Sequence, residues 1–575
     1  MSYFAAMNPV EFTLTNKQIS EAFEQLAQLM EIHGQNPFRA KAIATAGYRI
    51  NKLPFSASSK TEQELTETPG IGASTATKIK SLLQTGTLPE LEDLREQTPI
   101  GIQEMLGIKG LGPKKILTLW KELGLESLGE VYYACNENRL VGTKGFGLKT
   151  QEQIKQIIEF TFANSGWLRY ASIEPEAERI LADLQKALPV GRQVAFTGNY
   201  RRKAETLQRV DILAEASVEE LLNAAAIFDG WTQLENGMTE TALKEADVLE
   251  YRLENNFHFR LLGTTGANFT VNLFLSTGSP EHIEQLAPVL ETTWATEQDI
   301  YEALGLNYIE PELREGLGEI ERAQRGKLPA LITLRDLKGS LHNHSTYSDG
   351  IHSLEEMASY AKNEMGLEYL GIADHSKSAF YARGLSVETL QEQWKEIDIL
   401  NERLAPFQIF KGIESDILAD GSLDYPDEVL ESFDFVVASV HTNLRMDKAK
   451  ATERLVRAIE NPYTTILGHP TGRLLLSRAG YPIDYERVID ACAANQVVIE
   501  INANPLRLDL DWRWHQYAIS KGVLLSINPD APRQKGLHDM RYGVYAARKG
   551  GLSVENCLNT YSREEIATFF AKRKI

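Results

Sequence analysis

The chain of 575 residues is 43% hydrophobic and 24% charged, and its formal net charge is −19 at pH 7. This length predicts several globular domains, and the acidic balance excludes general electrostatic adhesion to nucleic acid. Residues 1–16 lack the pattern of a signal peptide, and no apolar run has the length of a membrane span. Three widely spaced cysteines argue against a disulfide framework, so we expect a cytoplasmic, monomeric protein without a membrane partner.

Three glycine pairs in the first part of the chain each stand before a predicted helix. They share the order glycine, apolar residue, glycine, and a lysine-bearing helix follows: Gly70 and Gly72 before Lys78, Gly110 and Gly112 before Lys114, and Gly145 and Gly147 before the third helix. Glycine lets a backbone approach a phosphate, and free N–H groups at a helix N-terminus bind anions. The repeat resembles helix-hairpin-helix DNA-binding elements, while the alternative is a purely structural all-α bundle.

The distribution of charge places DNA contact in this same part of the chain. Residues 1–150 hold equal numbers of basic and acidic side chains, so the excess of acid lies in the remainder. Hairpin contacts go to the sugar–phosphate backbone, which makes them independent of base sequence. We therefore expect local, sequence-independent binding of DNA.

Residues 1–90 also resemble the small lyase domain at the front of family X DNA polymerases. The likeness is carried by the segment Asn36-Pro37-Phe38-Arg39 and by the first hairpin. Lys78 stands where lyase-active relatives carry a Schiff-base lysine, so the resemblance implies that role. A phosphate contact and a solvated helix residue are the alternatives, because amine catalysis needs a lowered pKa. Residues 91–164 are predicted to complete a fingers-like helix-hairpin-helix region.

Residues 196–213 resemble the palm signature of family X polymerases, which reads G-S-x-R-R-G-x-E-T-x-G-D-x-D. In this chain Asn199 replaces the serine and Lys203 replaces a glycine, while Arg209 occupies the position of the first metal-binding aspartate. Asp211 is retained, and Asn272 stands where we expect the third carboxylate. The site residues of this palm are therefore degenerate.

Nucleotidyl transfer by two metals needs carboxylates that fix both ions. With two of three carboxylates replaced, we predict that residues 165–325 keep the fold of a palm and thumb and lose its catalysis. Arg209 is expected to form a salt bridge with Asp211. The alternative is an active gap-filling polymerase whose missing carboxylates come from elsewhere in the chain.

Metal-ligand residue types dominate the C-terminal part of the chain. His342 and His344 have one residue between them and project to the same side of a strand. Further histidines and carboxylates mostly follow short apolar runs with strand character: Asp349, His375, Glu414, His441, His469 and Asp530. Strands alternating with helical stretches predict a parallel α/β barrel, which places such groups at the carboxyl ends of its strands.

This set of motifs resembles the polymerase and histidinol phosphatase (PHP) domain over residues 335–575. The resemblance implies a distorted barrel with two or three divalent ions, Mn or Zn. It assigns His342, His344, Glu414 and Asp530 to one ion, Asp349 and His375 to a second that shares Glu414, and His441 and His469 to a third. The family's late D-A-H motif is Asp530-Ala531-Pro532 here, and proline offers no ligand atom, so one ion loses a ligand or takes a water.

The whole chain resembles bacterial family X polymerases fused to a PHP domain. The expected fold is multidomain: an N-terminal all-α helix-hairpin-helix region, a central α+β nucleotidyltransferase-like palm and thumb, and a C-terminal α/β PHP barrel. The resemblance implies a Mn-dependent 3′–5′ exonuclease or phosphodiesterase on gapped, nicked or 3′-ended DNA, with metal-activated water as the attacking group. Arg383 and Arg507 are candidates to grip phosphates and fit structural ion pairs equally well. A non-catalytic DNA-binding scaffold and hydrolysis of a small phosphate monoester are alternatives.

Overall fold

The computed structural model describes most of the chain. It covers residues 14–573 except 129–130, 132–134, 136–139, 141–142, 164–165, 229, 235–242, 254–256, 287–292, 380–381, 445 and 477–478. The chain divides into two compact units, Met1–Ser165 and Gly166–Ile575. The domain boundary expected at 164–165 falls on residues outside the described ones.

Helices build the described part of the first unit. They are α1 Asn16–Ile32, α2 Pro37–Asn51, α3 Glu62–Thr66, α4 Ala73–Thr85, α5 Pro89–Glu96, α6 Ile100–Leu106, α7 Pro113–Leu117 and α8 Leu148–Ala163. Helix α1 begins where the Thr15 hydroxyl accepts a hydrogen bond from the Gln18 N–H in a capping box, an arrangement that satisfies free donors at the helix start. Apolar side chains of α1, including Phe23 and Leu26, are fully buried in the core of this unit.

The first half of the second unit is an α+β arrangement around a five-stranded sheet. Its elements are β1 Leu168–Arg169, α9 Tyr170–Ala187, β2 Val194–Thr197, α10 Gly198–Arg201, β3 Thr206–Leu207, β4 Arg209–Glu215, α11 Val218–Ala225, β5 Thr232–Gln233, β6 Asp247–Arg252, β7 His258–Thr264, α12 Gly266–Thr277, α13 Pro280–Glu284, α14 Glu297–Ala303 and α15 Glu319–Gln324. The strand order is β2-β4-β7-β6-β5, and within it only the β4–β7 pair is parallel. We call residues 166–325 the palm and thumb.

The second half of this unit is a nearly closed parallel barrel of seven strands, as the sequence predicts. Its elements are β8 Gly339–Ser340, α16 Leu354–Asn363, β9 Tyr369–Ile372, α17 Val387–Leu404, β10 Gln408–Asp416, α18 Asp427–Leu430, β11 Phe435–Ser439, α19 Lys448–Glu460, β12 Ile466–Leu467, α20 Tyr485–Asn495, β13 Val498–Asn502, α21 His515–Ser520, β14 Leu525–Asn528, α22 Met540–Lys549 and α23 Arg563–Arg573. The strands follow one another in chain order. A parallel bridge between Asn343 and Ala531 spans the gap between the first and last strands.

The barrel strands are apolar because helices cover their outer faces. Every residue of β11 is buried, which is the near-continuous hydrophobic run expected of a parallel strand covered on both faces. The polar residues therefore collect at the strand ends, where the loops begin. Among the described residues, no helix combines the length and apolar character that crossing a membrane requires.

Candidate metal centre and nucleic-acid contacts

The predicted ligands lie at the carboxyl ends of the barrel strands. His342 and His344 follow β8, Asp349 lies in the loop beyond them, His375 follows β9, Glu414 lies near the end of β10, His441 follows β11, His469 follows β12 and Asp530 follows β14. Parallel strands in a closed barrel bring these ends to one rim. The structure thus gathers residues from the whole C-terminal half of the chain into one cluster.

Glu414 is at the centre of this cluster. Its carboxylate is fully buried and lies near the ring nitrogens of five histidines: His342 at 3.3 Å, His344 at 3.8 Å, His375 at 2.9 Å, His441 at 3.1 Å and His469 at 3.0 Å. A single buried charge among so many imidazoles has no stabilising purpose that an apolar core would not serve better. A carboxylate in this position could be shared between ions held by the surrounding histidines.

Three groups of side chains present atoms that lie within 4.8 Å of one another. The groups are His342, His344 and Asp530; His344, Asp349 and His375; and His375, Glu414 and His441. Glu414 stands with His375, as the resemblance implies, and also with His441. The groups differ from the expected sets because Glu414 is not grouped with His342, His344 and Asp530, and His469 belongs to none of them. Asp349 is the most open member, since its side chain is 44% exposed, so the cluster faces solvent on the Asp349 side.

Opposite charges compensate one another within the cluster. Burial alone would lower the pKa of His342, but Glu500, Asp530 and Glu414 raise it well above its ordinary value. Burial raises the pKa of Glu414, yet the rings of His441, His342 and His375 hold it well below its usual range. Histidine ligates a metal only as the neutral ring, so an ion that binds here must displace protons.

Two carboxylates outside the predicted set orient the histidine rings. Glu500 accepts a hydrogen bond from His342 Nδ1 at 2.7 Å and from the His469 N–H at 2.8 Å. Asp416 pairs with His441 Nδ1 at 2.5 Å. A carboxylate behind a metal-ligating histidine fixes its tautomer and orientation. The sequence does contain a signal for Glu500, because it is an acidic residue between Ile499 and Ile501 in an otherwise apolar strand. A charge in such a strand indicates a specific buried partner.

The residues present fit divalent metal ions. Buried atoms with no geometrically acceptable hydrogen bond to any described residue include His342 Nε2, His344 Nδ1 and Glu414 Oε2. Buried polar atoms are nearly always satisfied, so atoms left without a bond in a closed polar cluster are aimed at a ligand. Imidazole with carboxylate is the donor set that suits Zn, Mn or Fe.

The remaining predicted residues of this region lie in two places. Arg507 is at the cluster, with its Nε 3.6 Å from Asp530 Oδ2, while Arg383 is exposed on a turn with φ +58°. Pro532 offers only its carbonyl, which accepts a hydrogen bond from the Ile351 N–H at 2.7 Å. The group around Asp530 therefore contains two histidines and one carboxylate.

The palm carries a salt bridge at the position where the sequence resemblance implies a metal-binding carboxylate. Asp211 is 5% exposed, and its Oδ1 lies 2.6 Å from Arg260 Nε and 3.2 Å from Arg209 Nε. The predicted pair with Arg209 is present, and Arg260 of the neighbouring strand adds a second positive charge. Two guanidinium groups thus fill the space beside the one retained aspartate.

The expectation that Asn272 belongs to this site is wrong. Asn272 lies on α12, where its amide contacts the backbone of Lys244 and the Thr264 hydroxyl at 2.8 Å. Thr264 is four residues beyond Arg260 on β7, about 13 Å along the strand. The register places Arg260 of β7, and no residue of α12, opposite Asp211.

The three glycine pairs have one geometry. The first glycine of each pair has a positive φ, +87° at Gly70, +95° at Gly110 and +92° at Gly145. The second glycines, Gly72, Gly112 and Gly147, have no positive φ, and a Cβ added to any of them would meet no atom of a non-adjacent described residue within 4 Å. The residues 141–142 before the third pair lie outside the described ones.

The lysine of the first hairpin is paired. Lys78 Nζ lies 2.9 Å from Glu90 Oε2, and Arg39 contacts the other oxygen of Glu90. The two cations and burial act in opposite directions on Glu90, with the net result that its pKa is lowered. A lysine that donates to an ionised carboxylate is a poor amine nucleophile. Lys114 follows Gly112 in the first turn of α7.

Family models match four segments of the chain. They are a helix-hairpin-helix domain over residues 14–88, a SAM-like helix-hairpin-helix tandem over 102–159, a DNA polymerase beta thumb over 281–315 and a PHP domain over 340–504. A nearly closed parallel barrel with a histidine and carboxylate cluster at its rim is the PHP class of domain.

Curated relatives extend the likeness to the full length. The chain is 34% identical to the DNA polymerase/3′-5′ exonuclease PolX of Bacillus subtilis over 97% of this chain and 99% of that protein. The chain therefore belongs to the family X DNA polymerases that carry a C-terminal PHP domain. Shorter matches include a probable phosphatase of Caldanaerobacter subterraneus, 36% identical over 18% of this chain and 41% of that protein, and one of Vibrio campbellii, 32% identical over 34% and 78%.

Proposed function

We propose that this protein is a DNA end-processing enzyme whose PHP domain is a Mn-dependent 3′–5′ exonuclease. The observation that carries the proposal is Glu414, a fully buried carboxylate within 4 Å of ring nitrogens from five histidines. Clustered divalent ions at such a site activate water and neutralise the charge that develops on a phosphodiester under attack.

Side chains of the PHP domain would bind the ions and orient the substrate. His342, His344, Glu414 and Asp530 would supply one set of ligand atoms, and Asp349, His375, His441 and His469 would complete the cluster. Glu500 and Asp416 fix the rings behind them. Arg507, next to Asp530, donates to a phosphate oxygen of the bound strand end, and an arginine fork matches that geometry. Arg383 is a second candidate to bind a flanking phosphate.

We further propose that the palm no longer synthesises DNA. Templated transfer requires carboxylates that hold two ions, and here Asp211 is paired with Arg209 and Arg260. The two arginines of the signature are also neutralised. Arg201 lies 2.5 Å from Glu297, and Arg202 lies 2.9 Å from Glu315, so neither is available to a triphosphate.

The first unit supplies the affinity for DNA. The glycines at positions 72, 112 and 147 are not required by their φ or by crowding within the protein, yet each stands at or just before the start of a helix. A bare backbone at a helix N-terminus suits close approach of a DNA phosphate. Lys78 is proposed as a phosphate contact of the first hairpin together with Arg39, because their pairs with Glu90 lie at the surface, where ion pairs are weak and a phosphate can replace the carboxylate.

The test is a primer–template incubation with Mn²⁺, with and without deoxynucleotides. We expect the primer to shorten from its 3′ end in both, and the His342→Ala variant to leave it intact. Extension that is lost in Asp211→Ala would overturn the proposed palm, and binding without any turnover would show a scaffold. A primer ending in a 3′-phosphate measures phosphomonoesterase activity, which the phosphatase relatives favour.

A further inference from the structure

Arg507 reaches the metal centre from a segment with unusual backbone geometry. The segment 504–508 follows β13, and the side chain of Arg507 is 18% exposed with its Nε 3.6 Å from Asp530 Oδ2. The next residue, Leu508, has φ +45°. Non-glycine residues adopt this conformation only where the surrounding structure imposes it. The Arg507 and Leu508 N–H groups both donate to the Asn504 carbonyl within the segment, and contacts from outside the segment add to these bonds.

A hydrophobic contact with the palm stabilises the segment 504–508. The side chain of Leu508 is 6% exposed and packs in the same core as Tyr170, Leu207 and Phe259 of the palm. Leu475, on the neighbouring barrel loop, packs partly against the same core and donates its N–H to the Leu506 carbonyl at 2.6 Å. A barrel loop thus continues the core of the palm.

A polar contact holds the same segment from the other side. Arg473 donates from Nε to the Arg507 carbonyl at 2.9 Å and from Nη2 to the Leu508 carbonyl. Its third nitrogen, Nη1, lies 2.8 Å from Asp511 Oδ2 and 3.6 Å from Glu205 Oε1 of the palm. The Glu205 side chain is only 14% exposed. Removing the charge of such a buried carboxylate therefore also destabilises the side chains paired with it.

We infer that the palm positions a residue of the nuclease site. Glu205 acts through Arg473, and the palm core acts through Leu508, so that Arg507 is held against the substrate phosphate. Glu205 is the retained glutamate of the palm signature, in a palm whose metal site is filled by arginines. This inference rests on the proposed exonuclease. It gives the palm a positioning role that does not depend on synthesis of DNA.

The test is a double-mutant comparison in the full-length protein. Glu205→Gln and Leu508→Ala are each measured alone and combined with Arg507→Ala, with Mn²⁺ and a 3′-ended oligonucleotide. We expect each single variant to lower kcat by about 10-fold at unchanged metal content, since a misplacement of about 1 Å can cost up to about 100-fold. Neither should reduce the rate of the Arg507→Ala protein further, and Glu205→Asp should restore part of the loss.

Two further measurements keep the outcomes distinct. Glu250→Gln alters a palm carboxylate that pairs with His258, so it should leave kcat unchanged. Hydrogen exchange of the amides in 504–510 should be faster in Glu205→Gln than in the wild type. Losses that multiply with Arg507→Ala, or unchanged exchange in Glu205→Gln, would overturn the inference. If the wild type lacks exonuclease activity, the proposed function fails and the exchange measurement alone decides the positioning role.

Discussion

At the scale of single residues, Glu500 shows how a buried charge organises the metal centre. It bonds His342 Nδ1 and the His469 N–H, and the amides of Asn502 and Asn528 donate to it at 3.1 and 3.2 Å. Four donors on one carboxylate satisfy it without a metal ion of its own. Its place is therefore behind the ligands.

We predict that Glu500→Gln weakens Mn²⁺ binding by about 10- to 100-fold, which is the usual loss when the partner of a ligating histidine is changed. The amide keeps the shape of the carboxylate and removes the charge that makes His342 a better ligand. Calorimetric titration with Mn²⁺ measures the effect, and Glu431→Gln, at an exposed position of the same domain, is the control. An unchanged affinity would contradict the assigned role.

Asp211 provides a test of whether the palm contains a structural salt bridge or a metal site. In a working metal site, carboxylates repel one another without their ions, so removing one relieves strain. Here Asp211→Asn removes the charge that lies 2.6 Å from Arg260 Nε, and breaking a buried ion pair costs about 3 kcal/mol. We therefore expect a lower melting temperature. Asp247→Asn, exposed on the same sheet, should not change it, and a stabilised Asp211→Asn protein would indicate a metal site.

At the scale of elements, the hairpins repeat one arrangement of a strained and an unstrained glycine. The first glycine of each pair has a left-handed φ that its turn requires. The second needs neither its conformation nor its missing Cβ for any contact within 4 Å. Glycine is a favoured residue at a helix N-cap, the position of Gly72 and Gly112, and its missing Cβ also leaves the backbone there open to a group that approaches from outside the protein.

We predict that alanine at Gly72, Gly112 and Gly147 together lowers the affinity for DNA by about 10-fold or more, because three methyl groups keep phosphates from the helix N-termini. The melting temperature should stay the same, since no added Cβ meets a protein atom. Fluorescence anisotropy with labelled DNA measures binding, and Gln84→Ala, exposed at the other end of α4, is the control. Loss of stability together with binding would show a structural requirement.

Sequence predicts elements better than the contacts between them. The strand ends carry their histidines in a fixed phase after apolar runs, so the barrel and the residues that gather at its rim could be predicted one by one. Asn272 could not be placed, because a register between β4 and β7 decides which residue faces Asp211. Arg473 gave no signal, since its role depends on Glu205 and on carbonyls that only folding brings near.

At the scale of the whole molecule, the chain combines strong negative charge with the proposed binding of DNA. The net charge of −19 opposes nonspecific attachment, and the balanced charge of residues 1–150 confines attraction to the hairpins. The metal centre, in contrast, lies in buried surroundings in the second unit, and salt screens buried charges far less than exposed ones. Binding and hydrolysis should therefore respond differently to ionic strength.

We predict that raising the salt concentration from about 50 to about 200 mM lowers the affinity for DNA about 1,000-fold, the loss expected if three hairpins make about six phosphate contacts in total. Hydrolysis of bis(p-nitrophenyl) phosphate with Mn²⁺ should change less than about twofold over the same range, because its site is buried and needs no hairpin. Hydrolysis rates on DNA and on this small phosphodiester, measured at the same salt concentrations, separate the salt dependence of DNA binding from that of hydrolysis. Equal salt dependence on both substrates would place the DNA-binding charge at the metal centre and remove the hairpins from the mechanism.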